Sequence, residues 1–215
     1  QTKRAAGLPH VTYGEGADND ICGRLTGCSP FLAFEWKKQG ETETHHVQTQ
    51  LIGSYNLPNA LAAVTLGTYF DVDAALIDQA LTEYAPQNNR SQLKRTADNT
   101  LIIDAYNANP TSMTASLANF RQMEAAHKGA ILGDMRELGA DSAEEHQKIV
   151  DYLEECGFER VILVGGQFAA TRHTYETYAD APALIEALKQ QKPAGKTILI
   201  KGSNGVRLSS IVEYL

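Results

Sequence analysis

The sequence predicts a two-part α/β protein: a small antiparallel meander with helices, followed by a doubly wound parallel-sheet domain. Three observations predict it. Short β-type runs separated by Gly, Asp and Asn clusters fill Val11 to about Gln50. Beyond about residue 93, strand and helix patterns alternate, the rhythm of a parallel sheet with right-handed crossovers. The length agrees, because 215 residues at about 150 per domain make one complete domain and part of another.

Val11-Thr12-Tyr13, Phe31 to Phe34 and His46 to Thr49 are the strands expected in the meander. Leu57 to Phe70 is apolar nearly all round, with Asn56 as N-cap and Pro58 in the first turn, and predicts a helix buried on most sides. A second helix is expected over Asp73 to Tyr84, where Ile77, Ala80, Leu81 and Tyr84 share a face. Ala85 to Gln92 has the polarity and turn residues of a hinge, and puts the domain division at 1–91 and 92–215. Thr100 to Asp104 then predicts a buried strand. Asn109 caps and Pro110 opens a helix carrying Met113, Leu117 and Phe120. Ala130 to Gly133 is the next strand, and Ser142 with Glu145 predicts a capping box for the helix that follows. Strand Val161 to Val164, helix Ala183 to Gln190, strand Thr197 to Ile200 and helix Val206 to Leu215 complete the series. The chain shows no internal repeat and no low-complexity segment.

Composition narrows the function classes. Apolar residues at 43% and charged residues at 21% fit a globular protein and give no support to a disordered or collagen-like chain. A net charge of −7 argues against a sequence-independent grip on nucleic acid or anionic lipid, so an anionic ligand needs a local feature. No apolar run approaches the roughly 18 residues of a spanning helix, and Gln1-Thr2-Lys3-Arg4 lacks the apolar core of a signal peptide. A soluble, cytoplasmic protein with no nucleic-acid or membrane partner is expected. Cys22, Cys28 and Cys156 contain no Cys-x-x-Cys pair and fit free thiols in a reducing compartment. The first residue is not Met and the opening stretch has the character of mid-domain sequence, so the start is expected upstream.

In an open parallel sheet, ligands lie outside the carboxyl ends of the strands. Four polar segments follow strands here: Asp104 to Pro110, Gly133 to Gly139, Gly165 to Gln167 and Lys201 to Gly205. They should gather along one edge. Asp104 can accept from two neighbouring hydroxyls, as a nucleotide ribose presents them, or can cap a nearby loop. Lys201, before a Gly-rich turn, can face phosphate or carboxylate, or can be a solvated lysine. Asn107 and Asn109 carry both donor and acceptor, although Asn109 is already accounted for as a helix cap. Gly195-Lys196-Thr197 is not a phosphate loop, since position 190 is Gln and the triplet precedes a strand. His45 and His46 in one strand point to opposite faces, against joint metal binding. His10, His127, His146 and His173 are taken as structural or surface residues.

Several runs match a known family in order and spacing. These are Gly53-Ser54-Tyr55-Asn56-Leu57-Pro58-Asn59, Asn89-Arg90, Asp104-Ala105-Tyr106-Asn107-Ala108-Asn109-Pro110-Thr111-Ser112-Met113, Gly133-Asp134-Met135-Arg136-Glu137-Leu138-Gly139 with His146, and Lys201-Gly202-Ser203. Together they resemble the Mur ligases of peptidoglycan synthesis, in particular the branch that adds D-alanyl-D-alanine. The resemblance covers the chain from about residue 11. It implies that residues 1–91 are the last part of a central ATPase domain lacking its Walker A loop, and that 92–215 are a Rossmann-like C-terminal domain. The implied activity joins D-Ala-D-Ala to UDP-MurNAc-tripeptide through an acyl phosphate, with ATP and Mg²⁺ held mainly by upstream residues. In such a reaction the protein mostly positions reactants and neutralises charge. The resemblance further implies that Asn56 and Asn59 lie at the adenine side and that Arg90, at the hinge, reaches ATP when the third domain swings in. Asp104 would take the ribose hydroxyls. Lys201, Asn107 and Asn109 would line the cleft as catalytic residues, and Asp134, Met135, Arg136, Glu137 and Leu138 would lie near the dipeptide. No metal ligand is assigned to this chain, which alone is expected to be a monomer without activity. Tyr55 departs from relatives that have His there, so an imidazole contact to the nucleotide is not carried over. Two alternatives stand beside this: another amide ligase of the superfamily, such as a folylpolyglutamate synthase, and a Rossmann-like binding module without catalysis.

Overall fold

The computed structural model describes residues 10–87 and 89–215. The opening stretch at 1–9 and Asn88 of the expected hinge lie outside the described residues. The chain divides between Ala85 and Pro86 into two compact units.

In the first unit, β1 (Tyr13–Gly14), β2 (Ile21–Cys28), β3 (Phe31–Lys38) and β4 (His45–Ile52) form a sheet in sequence order. The last three pair antiparallel; β3 and β4 contain the expected strands, β2 fills a stretch where none was expected, and β1 runs parallel to β2, with Tyr13 opposite Ile21. The strand expected at Val11 to Tyr13 is shortened because Asp20 folds back on Thr12. Its Oδ2 accepts from both the backbone N and Oγ1 of Thr12 at 2.7 Å. Along β3, Leu32, Phe34 and Trp36 alternate inward. There they meet α1 (Leu57–Tyr69) and α2 (Ala74–Glu83).

Both helices expose more than their sequences suggest. Leu57, Ala60, Leu61 and Val64 of α1, at i, i+3, i+4 and i+7, pack into the core with the sheet and Thr65 beside them is also buried, while Leu66, Tyr69 and the following Phe70 are exposed. One sheet offers one apolar face, so a helix apolar all round cannot be buried all round by it. In α2 the buried side is Ile77 with Ala74 and Leu81, and Ala80 and Tyr84 are exposed. Tyr84 lies past the helix end in extended backbone, φ −64° and ψ 109°, and does not turn back onto the face. Asp78 ties α2 to the sheet: Trp36 Nε1 donates to Oδ1 at 2.7 Å, and His45 Nδ1 lies 2.8 Å from Oδ2. His45 stacks on Trp36, whereas His46 turns to Glu35, as strand alternation requires.

The second unit holds β5 (Gln92–Arg95), β6 (Thr100–Asp104), α3 (Pro110–Gln122), β7 (Lys128–Gly133), α4 (Ser142–Cys156), β8 (Arg160–Val164), α5 (Gly166–Ala169), β9 (Glu176–Tyr178), α6 (Ala181–Gln190) and β10 (Thr197–Lys201). The sheet order is β5-β6-β10-β7-β8-β9, parallel except for β5, which pairs antiparallel with β6. The central strands are buried on both faces. Leu101, Ile103, Ile198 and Ile200 pack against α6 and the final segment, while Ile102 and Leu199, on the opposite pleat, are also buried. Met113, Leu117 and Phe120 form the buried side of α3 as expected, with Ser116 among them.

Two expected features differ. The capping box at Ser142 and Glu145 does not form, because a 3-10 turn at Gly139–Asp141 starts the helix earlier and puts Ser142 already in helical backbone. Ser142 Oγ donates instead to Gln167 Oε1 at 2.9 Å, and Glu145 pairs with Lys148. The expected final helix is 3-10 in two pieces, Asn204–Val206 and Leu208–Tyr214, parted by Arg207 in left-handed backbone at φ 59°. Among the described residues no helix is long and apolar enough to cross a membrane.

Candidate functional site

The strand order reverses around β10, which enters last in sequence but sits between β6 and β7. That is the switch point at which open α/β sheets bind ligands. Register does the first part of the assembly: Lys201 at the end of β10 lies opposite Asp104 on β6 and Leu132 on β7. The four loops foreseen from the sequence do gather at this edge, and specific hydrogen bonds bind them.

Ser203, a buried side chain, joins three of them. Its hydroxyl accepts from Arg136 N at 2.9 Å and reaches Ala108 O at 3.5 Å, and its own N donates to Asp134 O at 3.2 Å. One hydroxyl serves as both donor and acceptor. Gly202 is required here, since a Cβ on it would lie 2.9 Å from Gly133 Cα and 3.1 Å from Gly133 N. The backbones leaving β10 and β7 therefore approach more closely than a side chain permits.

Asp134 turns inward. Its Oδ2 accepts from Gln167 N at 3.0 Å and its Oδ1 from Phe168 N at 2.9 Å, which fastens the loop after β7 to the one after β8. Below it lies His146, fully buried. Met135 N donates to His146 Nε2 at 3.0 Å, so that nitrogen carries a lone pair, and the proton belongs on Nδ1, 2.7 Å from Ser142 O. The 3.8 Å approach of Nε2 to Asp134 is thus a contact with a neutral ring and not an ion pair. Met135 is in the core, Leu138 is half-buried, and Glu137 is exposed at φ 71°. Of the five residues expected near a dipeptide, Arg136 presents an exposed cation. Its guanidinium rests over Gly205, where a Cβ would lie 2.6 Å from Cζ.

Asp104 has its side chain 13% exposed and Lys201 only 2%, so Lys201 is not a solvated surface lysine. Nζ donates to Asp104 Oδ2 at 2.6 Å and reaches Asn107 O at 3.4 Å, and Ser116 Oγ donates to the same Oδ2 at 3.0 Å. Asp104 Oδ1 receives no hydrogen bond among the described residues. Asn107 is exposed, with Oδ1 accepting from Ala108 N at 2.9 Å. Asn109 is a capping residue: Oδ1 accepts from Ser112 N at 2.8 Å and Ser112 Oγ accepts from Asn109 N at 3.1 Å. Arg90 lies over the Tyr106 ring at 3.9 Å, held near the edge because Ala105 N donates to Asn89 O.

In the first unit, Asn56 precedes α1 without capping it. Its Nδ2 donates to Ile52 O at 2.8 Å, and exposed Asn59 donates to Asn56 Oδ1 at 3.1 Å. Ser203, Ser116 and Tyr106 were not singled out by sequence reasoning. Ser203 stood in the Lys-Gly-Ser run and Tyr106 in the Tyr-Asn-Ala-Asn run, but Ser116 had no signal beyond its place on the apolar side of α3.

This edge belongs to a known class. The family model described as Mur ligase, glutamate ligase domain matches residues 89–204, and the chain belongs to that family. It is similar to the UDP-N-acetylmuramoyl-tripeptide–D-alanyl-D-alanine ligase of Rickettsia prowazekii, 34% identical over 159 residues, which cover 69% of this chain and 34% of that protein. It is also similar to the ligase of the same name from Bacillus subtilis, 30% identical over 223 residues, covering 95% and 46%. In fold it resembles the MurF ligase of Thermotoga maritima crystallised with ADP, with a TM-score of 0.75 at 18% identity over 95% of this chain and 47% of that one. The chain thus spans between a third and a half of the length of the curated relatives just described.

Proposed function

We propose that this chain is part of an ATP-dependent ligase that joins D-Ala-D-Ala to the carboxylate of UDP-MurNAc-tripeptide through an acyl phosphate. Residues 1–91 are then the last part of its central ATPase domain and 92–215 its third domain. The observation that carries this is Asp104, a carboxylate at the switch point of the sheet with Oδ1 open to a donor. The names of the relatives support the substrates, and the ADP in the Thermotoga structure supports a nucleotide.

In this reading Asp104 accepts the ribose hydroxyls of ATP, and Arg90 is held on Tyr106 to meet its charge. Asn59 offers an amide to the adenine, with Asn56 fixing it. Arg136 is the residue of its loop that can pair with the dipeptide carboxylate, since a planar guanidinium matches a carboxylate with two hydrogen bonds. Asp134, Met135, Glu137 and Leu138 shape the loop around it. Asn107 borders the cleft, and Asn109 holds its wall through the cap on α3. ATP supplies the phosphoryl group that turns a poor electrophile into a good one. In this reading Mg²⁺, like the phosphates of ATP, is held mainly by residues upstream of this chain. The same reading makes the protein a cytoplasmic monomer.

Incubating the full-length ligase that carries this segment with UDP-MurNAc-tripeptide, ATP and D-Ala-D-Ala should give the amide product. No product, with turnover on a folate instead, rejects the assignment in favour of a folylpolyglutamate synthase. The isolated chain should hydrolyse no ATP and bind it weakly, and micromolar affinity by calorimetry would contradict that. Asp104→Ala in the full-length enzyme should raise the KM for ATP by removing an ionised acceptor, an effect of about 1.5–3 kcal/mol.

A further inference from the structure

We propose that Lys201 is a positioning residue, which orients the Asp104 carboxylate and does not itself touch the reacting groups. The inference rests on the reading of Asp104 as the ribose acceptor and departs from a catalytic role for this lysine. Three observations carry it. Lys201 is 2% exposed, so its ammonium lies beneath the loop after β6 and does not reach the cleft. The strand register puts it opposite Asp104, and its Nζ is 2.6 Å from Oδ2. Ser116 Oγ, on α3, donates to that same oxygen at 3.0 Å.

Two donors from two different elements converge on one carboxylate oxygen, and the second oxygen receives no hydrogen bond among the described residues. Carboxylate torsions are broad when the group is free. Held at Oδ2 by β10 on one side and α3 on the other, the Asp104 carboxylate has a fixed plane, and Oδ1 is the atom left for a ribose hydroxyl. Lys201 also reaches Asn107 O at 3.4 Å, which holds the loop that borders that oxygen. A solvent-facing lysine would neutralise phosphate directly. This one prepays the orientation of another residue, and so its removal should be felt in nucleotide binding more than in turnover.

The test compares ATP with 2′,3′-dideoxy-ATP in the full-length ligase that carries this segment. The wild type should prefer ATP in KM by roughly tenfold or more, the worth of one good hydrogen bond. Lys201→Met should raise the KM for ATP by roughly tenfold, leave kcat within about threefold, and bring the preference for the ribose hydroxyls close to nothing. Ser116→Ala, which leaves no charge unpaired, should lower the same preference by about threefold. If Lys201→Met does not fold, the Ser116→Ala preference decides. A fall in kcat with the preference intact in Lys201→Met overturns the proposal, because the ammonium would then act on the reacting groups. An unchanged preference in Ser116→Ala overturns it as well. A wild type that does not distinguish the two nucleotides defeats the ribose reading of Asp104 itself, and that outcome is distinct from the other two.

Discussion

Replacing Asp134 by alanine should loosen the site edge without any ligand being present. Its two oxygens hold Gln167 N at 3.0 Å and Phe168 N at 2.9 Å, from a side chain 13% exposed. Each hydrogen bond to an ionised group contributes about 1.5–3 kcal/mol when its partner is left dry. Phe168 is buried and Gln167 exposed, so one N–H is stranded and the other recovers water. The expected loss is therefore about 2–4 kcal/mol, and Asp134→Asn, which keeps one acceptor, should lose about half of that. Urea titration followed by far-UV circular dichroism, with amide exchange read at residues 167 and 168, is the suitable assay. Fluorescence is not, because the single tryptophan, Trp36, belongs to the first unit and reports on that unit alone. If Asp134→Ala keeps both the wild-type midpoint and slow exchange at those two amides, the carboxylate does not fasten the two loops.

Gly205→Ala should push the guanidinium of Arg136 off its seat, since the new Cβ would lie 2.6 Å from Cζ and 2.9 Å from Nε. In the full-length ligase it should raise the KM for D-Ala-D-Ala and leave that for ATP unchanged, as should Arg136→Ala. Burial pushes the thiols of Cys28 and Cys156 upward, so both should be alkylated slowly by iodoacetamide at neutral pH and faster as pH rises, read by peptide mass spectrometry. The Arg160 guanidinium beside Glu176 holds that carboxyl below its usual range. A depressed carboxylate stabilises the fold fully above the ordinary glutamate range and loses that contribution as pH falls through its own lower value. Protection of the β9 amides, taken relative to the intrinsic exchange rate at each pH, should therefore fall below that range in the wild type, while Glu176→Gln should flatten the dependence.

Much of the second unit was legible because periodicity is a local property. Met113, Leu117 and Phe120 announce their helix without reference to anything beyond it, and the apolar runs at Thr100, Ala130, Val161 and Thr197 announce strands buried on two faces. The edge strands β5 and β9 carry Gln-Leu-Lys-Arg and Glu-Thr-Tyr, which offer no such run. Polar edges guard a sheet against unwanted pairing, and for that reason they resemble loops in sequence. The loops of the site were legible as a group, from the rule that strand ends carry function. Their internal roles were not. Nothing local tells that Lys201 is buried, because its partner Asp104 is 97 residues away and only the register brings them together. Asp134 is expected only to lie near a dipeptide, and nothing in its sequence neighbourhood tells that its carboxylate accepts from two backbone N–H groups in the loop that begins with Gly165 at φ 121°. The start of α4 departs from its sequence pattern for a different reason: a Ser-x-x-Glu pattern fits a cap only if the serine is extended, and a preceding 3-10 turn removes that option.

The placement of β10 also bears on how such a chain is made. Residues 197–201 lie between β6 and β7, so the two halves of the sheet have no shared edge until the last strand has left the ribosome. Until then the nascent second unit exposes two unsatisfied strand edges lined with isoleucine and leucine, the kind of surface that chaperones bind. Premature termination before residue 197 would accordingly remove the middle of the sheet rather than trim its margin, and the product should be a substrate for proteolysis.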